Sequence, residues 1–163
     1  MKFDDAFDKL IGNEGGYSNN SVDPGGETMW GVTARVARAN GYQGDMRFMP
    51  RDFAKALYEK LYWTAVRAEE LPELLRFQVF DAAVNSGDHQ AVQWLQRAIG
   101  VTDDGIIGPA TIAAAAVHPV RAAIIFDALR TEFLADRPTW PAFGRGWAKR
   151  IAANLKTLAG EVA

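Results

Sequence analysis

The chain has no cysteine, two histidines and almost no net charge. Without cysteine there is no disulfide, no thiolate nucleophile and no Cys-ligated zinc or iron–sulfur centre. His89 and His118 are too few for a His-rich metal site, so neither a metal nor a cofactor is expected. Eighteen Lys+Arg against twenty Asp+Glu, with a pI near 5.7, lack the basic excess of a nucleic-acid binder. Long apolar runs are missing too. The longest uncharged stretch, between Asp104 and Arg121, is broken by Gly108, Pro109 and Pro119, so no stable membrane insertion is expected. The opening Met1-Lys2-Phe3-Asp4-Asp5 is acidic at once and shows no signal-peptide h-region. Synthesis in the cytoplasm is expected, with another export route if the substrate lies outside. What remains is 163 residues, 48% hydrophobic, enough for one domain or two small ones sharing a core. With cysteine absent and histidine scarce, carboxylates are the default catalytic groups.

Apolar residues recur at helical spacing almost throughout. Phe3, Phe7 and Leu10 mark a first helix, ended by the glycines from Gly12 to Gly16. Thr33 to Asn40 reads as a short helix closed by Gly41. Pro50 suits a helix N1 position, with Phe53, Leu57 and Leu61 on one face. Pro72 starts another helix with Leu75, Val79 and Ala82 on its apolar stripe and Gly87 as its stop. Asp88 is expected to cap the next, which Gly100 closes. After a turn at Asp103-Asp104-Gly105, Pro109 opens an Ala-rich helix. Ala122, Phe126, Leu129 and Phe133 stripe a longer one, and Trp147, Ile151, Leu155 and Leu158 the last. Only Tyr17 to Trp30, rich in Gly, Asn, Ser and Pro, lacks the period and reads as a loop or small β-hairpin. The predicted fold class is all-α with one irregular insertion.

Charge is uneven along the chain. Residues 1–118 hold 11 basic and 16 acidic groups, net −5; residues 119–163 hold 7 and 4, net +3. Arg145, Lys149, Arg150 and Lys156 read either as a solvated helix face or as an attraction to an anionic polymer.

The irregular segment carries the chemistry. Glu14 lies where the first helix should end, and the negative end of a helix dipole raises a carboxyl pKa. A carboxyl kept protonated near neutral pH is what a general acid for glycosidic cleavage requires. Gly15 and Gly16 permit a left-handed cap and leave room for a bulky polymer. Asp23 and Thr28 follow on the facing wall, where a carboxylate and a hydroxyl would orient water against an anomeric carbon. Asp23 in Asp-Pro-Gly-Gly reads equally as a turn former. Tyr17 and Trp30 offer flat faces for sugar rings.

Glu14-Gly15-Gly16-Tyr17-Ser18-Asn19, Asp23-Pro24-Gly25-Gly26-Glu27-Thr28 and Gly31-Val32-Thr33 together resemble the signature of family-108 glycoside hydrolases, lysozyme-like N-acetylmuramidases of phages and bacteria. Tyr58, Tyr62-Trp63, the run Phe80 to Gly87 and the run Asp104 to Thr111 extend the match, the last into a region resembling that family's peptidoglycan-binding segment. The resemblance implies a lysozyme-like helical fold with a small hairpin after the first helix. It implies a catalytic region over 1–88 and a helical peptidoglycan-binding region over 89–163, packed into the same compact body. It makes Glu14 the catalytic acid, with Asp23 and Thr28 beside it. Eight residues separate Glu14 from Asp23, as in phage-type lysozymes, but four separate Asp23 from Thr28 where those enzymes have five.

The implied substrate and partner is peptidoglycan, cut at the β-1,4 bond between N-acetylmuramic acid and N-acetylglucosamine by a monomer. Release through a holin or a secretion system would bring the enzyme to the wall or periplasm, as for an endolysin. A lytic transglycosylase and a non-catalytic wall-binding or secretion-accessory protein are the rival readings. Tyr17, Asn19, Trp30 and Tyr62 are the expected sugar contacts. Asp81 and Asn85, four apart on one helix, read either as sugar contacts or as a buried pair satisfying the hairpin backbone.

Overall fold

The computed structural model describes residues 1–12, 16–19 and 26–162. Among these the fold is mostly α-helical with one small antiparallel sheet, the lysozyme-like class expected. It divides into two compact units, Lys2–Leu61 and Tyr62–Ala163, the latter joined by Met1.

In the first unit, α1 (Phe3–Ile11) buries Phe3, Ala6 and Phe7, and Gly12 ends it at φ 59°. Strands β1 (Ser18–Asn19), β2 (Glu27–Met29) and β3 (Val32–Thr33) form a meander ordered β1-β2-β3. Thr33 then caps α2 (Ala34–Ala39), its hydroxyl accepting from the Val36 N–H. A single 3-10 turn, Met46–Phe48, leads to α3 (Arg51–Tyr58). Pro50 is extended and stands at the N-cap, one position before the N1 site expected for it. Helices α1 and α3 meet through Phe7, whose ring lies edge-on to Tyr58 at 5.4 Å. Arg51 stacks over Phe7 and pairs with Asp8 at 2.6 Å, and Lys55 pairs with Asp4 at 2.8 Å. These pairs are largely exposed and worth little beside the aromatic packing.

The second unit is built around α4 (Glu73–Ser86), in which every residue from Phe77 to Ala83 is buried. The sequence predicts a striped helix there. Instead α5 (Asp88–Ile99), α7 (Pro119–Ala135) and α8 (Trp140–Val162) all pack on α4, so burial extends around its circumference. Trp94 of α5 fills the space between Phe126 and Phe133 of α7. Gly87, not Asp88, is the N-cap of α5; Asp88 is its first helical residue and supplies negative charge to the helix's positive end.

The turn before α6 (Pro109–Ala115) is clasped by one buried side chain. Gln96 accepts from the Gly105 N–H and donates to Asp104 Oδ1 and the Ile106 carbonyl. On α8 the inward residues past the first turns are Ile151, Asn154 and Leu158; Leu155, expected inside, is 40% exposed. Asn154 takes the inward place because a polar partner waits for it. No single helix among the described residues is long and apolar enough to cross a membrane.

Candidate active site

The meander sets the geometry of the hairpin residues. Ser18 faces Thr28 and Thr28 faces Thr33 across the strands, while Asn19 faces Glu27 and Met29 faces Val32. Residues directly opposite one another share a face of a sheet. One face therefore carries a row of three hydroxyls, Ser18–Thr28–Thr33, and the other carries Asn19, Glu27, Met29 and the buried Val32. Thr33 is occupied by its capping bond, and among the described residues the Thr28 hydroxyl makes one long bond, 3.4 Å, to the Ser18 carbonyl.

Trp30 and Gly31 form the two-residue turn joining β2 to β3, both at positive φ (53° and 73°). A tight hairpin favours that conformation because it matches the twist of its strands. A Cβ on Gly31 would stand 2.5 Å from the Tyr58 hydroxyl, so glycine is required by space as well as by φ. Trp30 is held there by its indole N–H, which donates to the Met49 carbonyl at 2.9 Å, and by Tyr58, whose hydroxyl donates to the Trp30 carbonyl. Its ring is half-buried, with Arg51 6.0 Å away.

Beside the hairpin lies a polar groove of about 530 Å3 lined by Tyr17, Glu27, Arg38, Gln43, Gly44, Asp45, Met46 and Arg47. Tyr17 is exposed and donates its hydroxyl to Glu27 at 2.9 Å, an interaction that raises its pKa. Arg47 grips Asp45 through two nitrogens and holds that carboxyl down at about 2. Arg38 donates to the Tyr42 and Gly44 carbonyls and so fixes the far wall. Hydrogen-bonding groups of both charge signs suit a neutral, polyhydroxylated ligand carrying amides.

Glu14 and Asp23 lie outside the described residues. Of the other expected site residues, Tyr17, Asn19, Thr28 and Trp30 come together on the meander, and Tyr17 alone of them lines the groove. Tyr62, Asp81 and Asn85 belong to the second unit. Tyr62 stands in a single π-helical turn, Glu59–Trp63, half-buried, with burial and then the charge of Asp88 raising its pKa.

The two members of the Asp81/Asn85 pair fare differently. Asp81 is 2% exposed: Oδ1 accepts from Arg150 at 2.7 Å, Oδ2 accepts from Asn154 at 2.8 Å, and Arg130 Nη1 lies 2.7 Å from Oδ2. Asn85 is exposed and donates to the Asp81 backbone carbonyl.

Sequence reading passed over Glu27, Arg38 and Arg47 as members of the groove. Glu27 stands inside the motif with no role of its own legible there, and the two arginines carry no local signal. Among the described residues no cluster of His, Asp or Glu could hold a metal ion.

The fold and the hairpin, with the polar groove beside it, are those of a mostly α-helical protein of the lysozyme-like class. Residues 7–87 match the model of glycosyl hydrolase 108, and residues 90–152 match that of a predicted peptidoglycan domain. The chain belongs to the glycosyl hydrolase 108 family and is a peptidoglycan-acting glycosyl hydrolase. It is similar to the solved structure of Brucella abortus SagA, with 29% identity and a TM-score of 0.86 over 97% of this chain and 94% of that one. No curated protein sequence matches it. The compact units divide at Tyr62 whereas the family matches divide between residues 87 and 90, so α4 is sequence-wise hydrolase and structurally the core of the second unit.

Proposed function

We propose that the chain is an N-acetylmuramidase that hydrolyses the β-1,4 bond between N-acetylmuramic acid and N-acetylglucosamine, with Glu14 as general acid. The family match across residues 7–87, which contains the whole Glu14–Thr33 motif, carries this reading. Glu14 protonates the leaving glycosidic oxygen. Asp23 positions water or stabilises the oxocarbenium-like transition state, and Thr28, whose hydroxyl makes one long bond among the described residues, orients the same water. Tyr17 and Asn19 contact sugar, as do Tyr62 and the exposed Asn85. Asp81 holds the second unit together from inside, its oxygens being engaged by three cationic or amide groups. The enzyme acts as a monomer and reaches the wall after release through a holin or a secretion system.

The test is product analysis on purified sacculi. Wild-type digests should contain muropeptides with new reducing N-acetylmuramic ends, and Glu14→Gln should lower their release by about 100-fold or more with unchanged thermal stability. A folded Glu14→Gln variant releasing them at the wild-type rate would remove Glu14 from the mechanism. Anhydromuramic ends would replace hydrolysis with lytic transglycosylation, and binding without any product would leave a wall-binding protein.

A further inference from the structure

Helix α8 begins with an aromatic row that no catalytic role absorbs. Trp140, Phe143 and Trp147 are spaced three and four apart, which places them within about 60° of one another around the helix. The Trp140 and Trp147 ring centroids are 6.1 Å apart and those of Phe143 and Trp147 are 5.9 Å apart, all tilted to one another. Phe143 is 56% exposed, and from Trp140 to Arg150 Gly144 alone is buried. That glycine is part of the construction: a Cβ there would stand 2.4 Å from the Trp140 ring, so its absence lets the indole lie against the helix backbone.

The row continues the helix side on which Ile151, Asn154 and Leu158 are buried further along. It runs out past the packed part of the helix and leaves rings uncovered. Trp and Phe opposite basic residues also suit a membrane interface, but this row lies within residues 90–152, matched to a predicted peptidoglycan domain, which favours a glycan as its occupant. The row suits pyranose rings, whose axial C–H faces pack on aromatic faces while their hydroxyls stay in water. No acidic residue occurs between Asp136 and Glu161, and Arg145, Lys149 and Lys156 form a second, exposed row on the opposite flank. That charge draws an anionic polymer to this helix at a range longer than contact.

We propose that Trp140, Phe143 and Trp147 form a glycan-stacking platform that holds the sugar strand of peptidoglycan, separate from the residues assigned to bond cleavage. This rests on peptidoglycan as the substrate and not on Glu14 as the acid. The occupant is the glycan backbone; the stem peptides contribute the negative charge but not the stacking.

The full chain carrying Glu14→Gln serves as the binding form, and Phe143→Ala in it removes the most exposed ring. Co-sedimentation with purified sacculi should weaken about tenfold with an unchanged melting temperature, and Phe143→Trp should restore it. Glycan strands stripped of peptides by an amidase should shift the tryptophan emission, and Phe143→Ala should reduce that shift, because Trp63 and Trp94 are buried and the half-buried Trp30 of the hairpin is common to both proteins. Free stem peptides should leave it unchanged. Sacculus binding unaffected by Phe143→Ala would overturn the proposal, as would an emission shift with stem peptides alone. A dimer in sedimentation velocity that Phe143→Ala dissociates would assign the face to a second copy of the chain. The two readings fail separately. Muropeptide release without a Phe143 effect on binding keeps the muramidase and discards the platform; a Phe143 effect without muropeptide release does the reverse.

Discussion

Asp127 is a carboxyl in the wrong place by ordinary rules. It is 1% exposed on α7, neither oxygen has a hydrogen-bond partner among the described residues, and burial pushes its pKa up to about 7 despite the opposing pull of Arg130. Asp81 adds a smaller push in the same direction. The folded protein therefore holds a proton that an unfolded chain releases near 3.8. Where the folded state binds more protons, stability falls as pH rises. The contribution is intact below about pH 4, declines through the interval up to about 7 and stays at its lower level above. Asp127→Asn should thus raise the melting temperature at pH 8 by about 5 °C, by less at pH 5 and little below about pH 4, measured by calorimetry on both proteins. A variant that melts lower than wild type at pH 8 would contradict this. Sequence could not show it: Asp127 stands among Phe126, Ala128 and Leu129 on a helix whose stripe was legible, but whether a flanking carboxylate is buried depends on which helices pack there.

At the scale of elements, most helices were legible because caps and breakers are local. Gly12, Gly41, Gly87 and Gly100, with Pro109 and Pro119 at helix starts, bound segments by φ or by a missing N–H, and those signals need no tertiary context. The full burial of α4 and the inward turn of Asn154 were not legible, since both depend on partners far along the chain. The hairpin falls between: its glycines and turn residues announced it, while the hydroxyl row followed only from the register. Its turn is a sensitive point. Gly31→Ala should destabilise the protein by roughly 2 kcal/mol, through a left-handed alanine and the overlap with the Tyr58 hydroxyl. Adding Tyr58→Phe removes that hydroxyl and leaves the next ring atom at 3.8 Å. The double variant should therefore lose less stability than the two single variants summed, a non-additivity that denaturant titration reads directly. Strict additivity would mean that φ alone sets the cost.

The second unit as a whole turns on one carboxylate. Asp81 on α4 receives Arg130 from α7 and Arg150 and Asn154 from α8, while Gln78, one turn earlier, donates to the Asn154 carbonyl. The basic excess read from residues 119–163 is thus partly internal: Arg130 and Arg150 neutralise Asp81, and Arg121, Arg137, Arg145, Lys149 and Lys156 remain for the surface. Replacing one partner of a buried ion pair leaves the other uncompensated, so Asp81→Ala should cost about 3–5 kcal/mol. Arg150→Met, at a half-buried position, should cost about 1 kcal/mol. Thermal melts of the two variants, with hydrogen exchange across α8, separate these outcomes; equal and small losses would mean that apolar packing alone holds the helix. Synthesis gives the arrangement a temporal side. Arg150 and Asn154 follow Asp81 by 69 and 73 residues, so a growing chain carries in its most buried helix a charge that Arg130 answers first and α8 completes later. Such a charge works against early closure of the nascent core, and α8 is the helix that locks the bundle.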